Sequence, residues 1–322
     1  MMNFIIYSFR FIFRHKFKVM VTFGFIFVFL LVLFPINDLN DLITAQISKL
    51  TNRKVFIQFD AMSLNPLGPK LTLEKIFVES GNLPTLTVDS LSLKPSLAAL
   101  VSQQPEGTLS AEGFLKGDLQ ISISSATKSE AGNARSRIEA HAKNLNLKDI
   151  RELANLPVPL LGKINLSSTA IADLTFQEQP EMDLNLTISK FEMPSTSVSL
   201  ADLGRVNLPL IKMGHIELKG KLAGGKFLIE SGKLGTPADE LYGDVKGNLG
   251  LTFMNAGGQV FPVMGGYNID LNLKATAGFK ERAKFFLGFL DGYKTELADG
   301  TQYKFKIQAS AAGMPPQFTP LR

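Results

Sequence analysis

Apolar and polar residues alternate one by one over much of this chain. Val55, Ile57 and Phe59 alternate with Phe56, Gln58 and Asp60. Beyond a turn marked by Pro66, Gly68 and Pro69, Leu71 and Leu73, then Ile76 and Val78, alternate with Thr72, Glu74, Phe77 and Glu79. After a loop at Gly81-Asn82 come Leu86, Val88, Leu91 and Leu93. A period of two puts successive side chains on opposite faces, so this region predicts a strand–turn–strand–turn–strand meander. The pattern returns at Gly107–Leu115, Gly117–Ser124, Ile138–Leu147, 162–176 and 182–193. It continues at Gly214–Leu222, Gly225–Ser231, Leu241–Phe253, Tyr267–Ala277 and Thr301–Ala309. One wet and one dry face per strand favours antiparallel pairing, whereas a parallel α/β sheet needs continuously apolar strands with helices between them.

Four segments break the pattern. Val19–Ile36 is 18 residues without a charge, close to the roughly 20 helical residues that span a ~30 Å hydrocarbon core. Backbone groups in hydrocarbon must be bonded within the segment, which predicts a transmembrane helix over 19–36, with Pro35 at its exit. Its anchoring side chains include Val19, Phe23, Phe25, Phe27, Phe29, Leu31 and Leu33. Residues 37–53 carry Leu39, Leu42, Ile43, Ile47 and Leu50, the spacing of an amphipathic linker helix that Asn37 or Asp38 could cap. Two short helices are expected at Lys148–Asn155, stopped by Pro157 and Pro159, and at Lys280–Asp291. The tail 313–322, with three prolines, reads as extended.

Charge orients the span. Arg10, Arg14, Lys16 and Lys18 precede it, whereas Asp38 and Asp41 follow it with no basic residue before Lys49. The positive-inside rule then predicts a cytoplasmic segment 1–18, a single pass through the inner membrane and a β-rich periplasmic domain over 54–322. A polar, small-residue stretch at 126–137 is the best position for a seam within that domain. A cleaved signal peptide would have a shorter apolar run and a small-residue cleavage site, and neither is present. The net charge of +5 owes most of its excess to the residues before the span, so there is no basic face for nucleic acid.

The catalytic inventory is thin. The chain has no cysteine, which excludes disulfides, thiolate metal sites and thiol catalysis. His141 and His215 each sit alone in an alternating strand, and His15 lies beside the span. No nucleophile elbow, zinc-protease motif or phosphate loop occurs. The one tight acidic pair, Asp239-Glu240, sits in a turn. These observations predict a protein without catalytic residues, metal or cofactor. What remains is the sheet: an apolar face in water must close as a core or stay a groove for lipid chains or an apolar protein surface. Leu71, Leu73, Val88, Leu184 and Leu186 are the candidate groove or core residues.

The order of these parts resembles the GspN family of type II secretion systems. The likeness rests on ITAQISKLTNRKVFIQFDAMSLNPLGPKLTLEKIFV after the span and on LPTLTVDSLSLKPSLAALV. It extends to KFLIESGKLGTPADELYGDVKGNLGLTF and the terminal DGTQYKFKIQASAAGMPPQFTP. The opening phrase is also similar to AsmA-like envelope proteins. The resemblance implies a mainly β fold, an elongated, curled antiparallel sheet behind one transmembrane helix with two or three short helices. It implies an accessory role in protein secretion, with other secretion proteins and membrane lipid as partners, or lipid handling with acyl chains in the groove.

Overall fold

The structure, a computed structural model, describes residues 16–33, 44–46, 48–49, 51, 55–65, 68–81, 83–96, 106–129, 132–200, 204–256 and 259–321. Arg10, Arg14 and most of the 37–53 segment lie outside them, although 44–46 and 48–49 are helical.

The strands are β1 (Val55–Gln58), β2 (Ala61–Asn65), β3 (Lys70–Ser80), β4 (Leu83–Pro95), β5 (Gly107–Phe114), β6 (Gly117–Ser125) and β7 (Ser136–Asn146). They continue as β8 (Leu161–Ala172), β9 (Glu181–Met193), β10 (Thr196–Leu200), β11 (Gly204–Leu208), β12 (Ile211–Ala223) and β13 (Lys226–Leu234). The last are β14 (Leu241–Ala256), β15 (Gln259–Ala275), β16 (Lys294–Leu297), β17 (Gly300–Ala311) and β18 (Gln317–Pro320). Sixteen of them form one antiparallel sheet in the order β1-β3-β4-β5-β6-β7-β8-β9-β12-β13-β14-β15-β17-β16, with β2 added on β3 and β18 on β17. Apart from the β10–β11 insertion, chain neighbours from β3 to β15 are sheet neighbours, as expected where every strand has one dry face and short connections, whereas β1 and β2 both pair with β3 and β17 lies between β15 and β16. β10 and β11 pair only with each other, as a hairpin inserted between β9 and β12.

The sheet runs through the expected seam. β6 and β7 pair from Asp118↔Lys143 to Ser125↔Ser136, and the connection is closed by Ala126 N–H donating to the Arg135 carbonyl at 2.9 Å. Strands also occur outside the alternating segments, at 196–200, 204–208, 259–266, 294–297 and 317–320. The last of these joins the tail, expected to be extended, to the sheet through Ile307↔Phe318.

The four described helices are α1 (Lys16–Leu33), α2 (Leu147–Leu153), α3 (Ala277–Arg282) and α4 (Lys284–Gly288). α1 exposes Phe17, Met20, Phe25, Ile26 and Phe29 to its surroundings. Among the described residues no helix is long and apolar enough to cross a membrane. The charge-free part of α1, from Val19 to Leu33, measures about 22 Å at 1.5 Å per residue, and residues 34–36 of the expected span lie outside the described residues. α2 is capped by the Asn146 side chain, which accepts from Lys148 N–H at 3.0 Å. The single helix expected at Lys280–Asp291 is instead α3 and α4, divided at Ala283 (φ −98°, ψ 11°) and followed by a 3-10 turn at Asp291–Tyr293. This break lets Phe279, Ala283 and Leu287 all face the sheet.

The sheet is bent rather than flat. Positive φ occurs at Lys75 (48°), Gly113 (74°), Asn144 (55°), Gly162 (144°) and Lys190 (53°). Register shifts fall at matching heights on successive strands, between Glu112 and Phe114, Ala142 and Leu145, and Leu161 and Lys163. A line of β-bulges increases local twist and coils a sheet along that line. At Gly113 a side chain would collide with the Asp89 carboxylate, 2.2 Å from the position of a Cβ. Two contacts demonstrate the curl. α2 packs Ile150 and Leu153 with Leu86 of β4 as well as Leu166 of β8. Gln179, in the β8–β9 loop, donates to Phe253 O at 3.0 Å and accepts from Phe253 N–H at 2.8 Å, crossing over β9, β12 and β13 to reach β14.

Candidate apolar groove

Strand register turns alternation into continuous apolar rows. One row begins Leu64↔Leu71↔Leu93↔Leu109↔Ile121 and passes through Ala140 and Ser168 to Leu184. It continues through Gly220, Ile229, Gly247 and Ile269 to Ile307 and Phe318 at the far edge. A parallel row runs Met62↔Leu73↔Leu91↔Ala111↔Leu119↔Ala142, then Leu166↔Leu186↔Leu218 and on to Leu271 and Phe305. Ser168 is the one hydroxyl in the first row, and it donates to the Asp183 carbonyl at 3.0 Å, so that row holds no unpaired side-chain donor. At Gly220 a Cβ would stand 2.4 Å from the Phe227 ring, which lies where a side chain would otherwise project.

Cover over these rows is uneven. Along one margin of the sheet, helices close them: α2 over Leu145, Ile164 and Leu166, and α3–α4 over Leu271, Leu273, Tyr303 and Phe305. Near the opposite margin, Leu222, Phe227 and Ile229 form a small buried cluster, and Phe176 of the β8–β9 loop stacks 5.8 Å from Phe253. Between the margins the side chains stay half-buried, including Leu73, Leu91, Leu109, Ile121, Leu184 and Leu186. A core sealed by a second layer would bury such residues fully. Here the buried residues fall into four separate clusters strung along the sheet.

Of the five candidates, Leu71, Leu73, Leu184 and Leu186 fall on these two rows and are half-buried. Val88 is buried, packed with Ile76, Met62 and Ala111 in the cluster at the β1–β5 end. The structure therefore sets the two pairs as two patches joined by continuous rows, six strands apart in the sheet order. Ser168 and the small residues Gly220 and Ala142, which sequence reading passed over, lie in the same rows; their signal is a small residue at an inward position of an alternating strand.

The polar groups serve the frame. Asp239 accepts from Thr236 N–H at 2.7 Å and Gly214 N–H at 3.0 Å, which ties the β13–β14 turn to β12. Burial acts to raise its pKa, but these hydrogen bonds outweigh it and hold the carboxyl below its usual value. Its neighbour Glu240 pairs with Arg282 of α3. Asp173 is buried and accepts from the Thr175 hydroxyl at 2.6 Å and from Thr175 N–H at 2.9 Å, which lowers its pKa. His141 Nδ1 lies 3.2 Å from Ser167 Oγ, but both are exposed on the wet face of the sheet. His215 is likewise exposed, and no group of three metal-ligating side chains occurs among the described residues. A recess of about 470 Å³ lies where Tyr267 and Ala309 meet Met314 and Pro315, and a smaller one of about 210 Å³ lies between Leu86, Leu115 and α2.

The geometry defines a curled antiparallel β-trough with a half-covered apolar floor. Comparison with protein-family models, with curated proteins and with solved structures finds no match to this chain.

Proposed function

We propose that this is a non-enzymatic envelope protein, held in the inner membrane by its N-terminal helix, whose periplasmic trough receives acyl chains of membrane lipid. The observation that carries the reading is the pair of rows crossing the sheet with leucine and isoleucine side chains left half-buried between the helix-covered and loop-covered margins. Half-exposed apolar surface of that length costs free energy in water unless something apolar lies on it. An acyl chain needs no hydrogen bonds, which suits a floor lined by leucine and isoleucine side chains. The N-in orientation rests on the basic residues ahead of the span.

The test is site-specific photocrosslinking in the full chain in its own membrane. A photoreactive residue at Leu186 should capture lipid. The same residue at Asn185, one position along and therefore on the wet face, should not. Equal capture at both positions, or none at either, would overturn the reading.

The likeness to the GspN family supports a second reading on the same frame, an accessory component of a type II secretion system that contacts other secretion proteins. The feature suited to such contacts is the β10–β11 hairpin, which stands outside the main sheet. Its test is genetic: deletion of the gene should impair export of secreted enzymes, and normal export would remove this role while leaving the lipid reading to its own experiment.

A further inference from the structure

The longest hairpin ends in a surface that the trough does not use. Residues 247–269, which span the β14–β15 turn, contain no charged residue in 23 positions, and residues 307–321 at the same end of β17 and β18 contain none in 15. Exposed here are Met254 (57%), Met264 (59%), Phe261 and Val263. The opposite strand ends are rich in charge, with Glu240–Arg282, Lys280–Glu296 and Lys116–Asp149 pairs.

Both faces of the hairpin are apolar. Cross-strand partners share a face, so Met254↔Phe261 and Thr252↔Val263 lie on one side and Leu251↔Met264 and Phe253↔Pro262 on the other. Both edges are closed to a further strand. On β14 the outward N–H and C=O of Phe253 are taken by Gln179, and Leu251 N–H donates to Gly225 O at 2.9 Å. Because the Phe253 groups point away from β15, its partner Pro262 presents its own nitrogen to the far edge of β15, where proline offers no donor. Strand addition by a protein partner is thereby disfavoured. A partner surface covering one face would leave the apolar side chains of the other in water.

We propose that this hairpin tip is a docking element for a phospholipid bilayer surface, inserting Met254, Phe261, Val263 and Met264 at the level of the headgroup–acyl boundary. A two-faced, charge-free wedge fits a bilayer, which surrounds it on all sides and requires no matched hydrogen bonds. The remaining outward backbone groups at Val260 and Met264 hold the insertion shallow, because unpaired peptide groups are excluded from the hydrocarbon core. The proposal is independent of whether the trough carries lipid.

The chain has no tryptophan, so one introduced residue reports its own environment. The full chain is reconstituted into phosphatidylcholine vesicles containing a brominated phosphatidylcholine. Phe261→Trp should show blue-shifted emission and at least twofold quenching, strongest for bromines placed near the headgroup. Met254→Trp should behave alike. Thr295→Trp, exposed at the charged strand ends, should stay unquenched. Equal quenching at 261 and 295, or none at 261 and 254, overturns the proposal. So does an emission shift at 261 that appears only when a periplasmic protein fraction is added, which would assign the tip to a protein partner.

Discussion

The helix-covered margin of the sheet and its uncovered middle are built from the same alternating strands, yet they end in different states. Under α3 and α4, Leu241, Ala275, Tyr303 and Phe305 are buried with Phe279 and Leu287 in the largest cluster. A few residues along the same strands, Leu249, Ile269 and Ile307 remain half-buried. Alternation decides which side chains face inward. Only a second layer decides whether facing inward means leaving water. The trough is thus the part of the apolar face that no helix among the described residues covers.

The sharpest way to break this contrast is to remove the lid. Phe279→Ala should cost about 3–5 kcal/mol, read as a loss of thermal and denaturant stability, since the ring is buried within the cluster under α3 and α4. Gln179→Ala removes both hydrogen bonds that carry the β8–β9 loop to Phe253. A loss of roughly 1–3 kcal/mol is expected, with faster amide exchange concentrated at 251–255 and around 176. Acid should act on the loops. The folded-state pKa values of Asp173 and Asp239 lie below their unfolded values. Their contribution is therefore present above the unfolded carboxylate value of ~3.9 and is lost as pH falls through the folded value. Melting temperature should drop below about pH 4, with a shallower drop in Asp173→Asn. In the trough, Leu186→Gln should lower stability by less than ~2 kcal/mol, because the side chain is already half in water. It should nonetheless reduce uptake of a fluorescent fatty acid severalfold. The smallest effect belongs to Tyr303→Phe. Tyr303 is 1% exposed with an unpaired hydroxyl, so removing that group should shift stability by under ~0.5 kcal/mol, and in the stabilising direction.

Much of the fold was legible in the residues. The phase slip from Leu71 and Leu73 to Ile76 and Val78 marks the backbone kink at Lys75, where φ is 48° while the register with β4 is kept. The same slip from Leu86 and Val88 to Leu91 and Leu93 occurs on the facing strand. Less legible were β10, β11, β16 and β18, which are short and lie at edges or outside the sheet, where one-sided burial leaves a weak pattern. The near end of β15 escaped because VFPVM is apolar on both faces, so no alternation is visible there. The candidate groove residues were partly legible: an inward leucine can be read from its period, but whether it packs under a helix or borders water depends on contacts distant in sequence.

The sequence by itself determined the apolar N-terminal segment, the antiparallel meander and the two faces of every strand, because these follow from local periodicity and charge. The tertiary structure alone decided how the registers align inward residues from fourteen strands into rows and where the bulge line curls them. It alone decided that Gln179 closes one margin while α2, α3 and α4 close the other. These depend on cross-strand pairing and on contacts between residues 74 and 80 positions apart, and no local pattern encodes such distances.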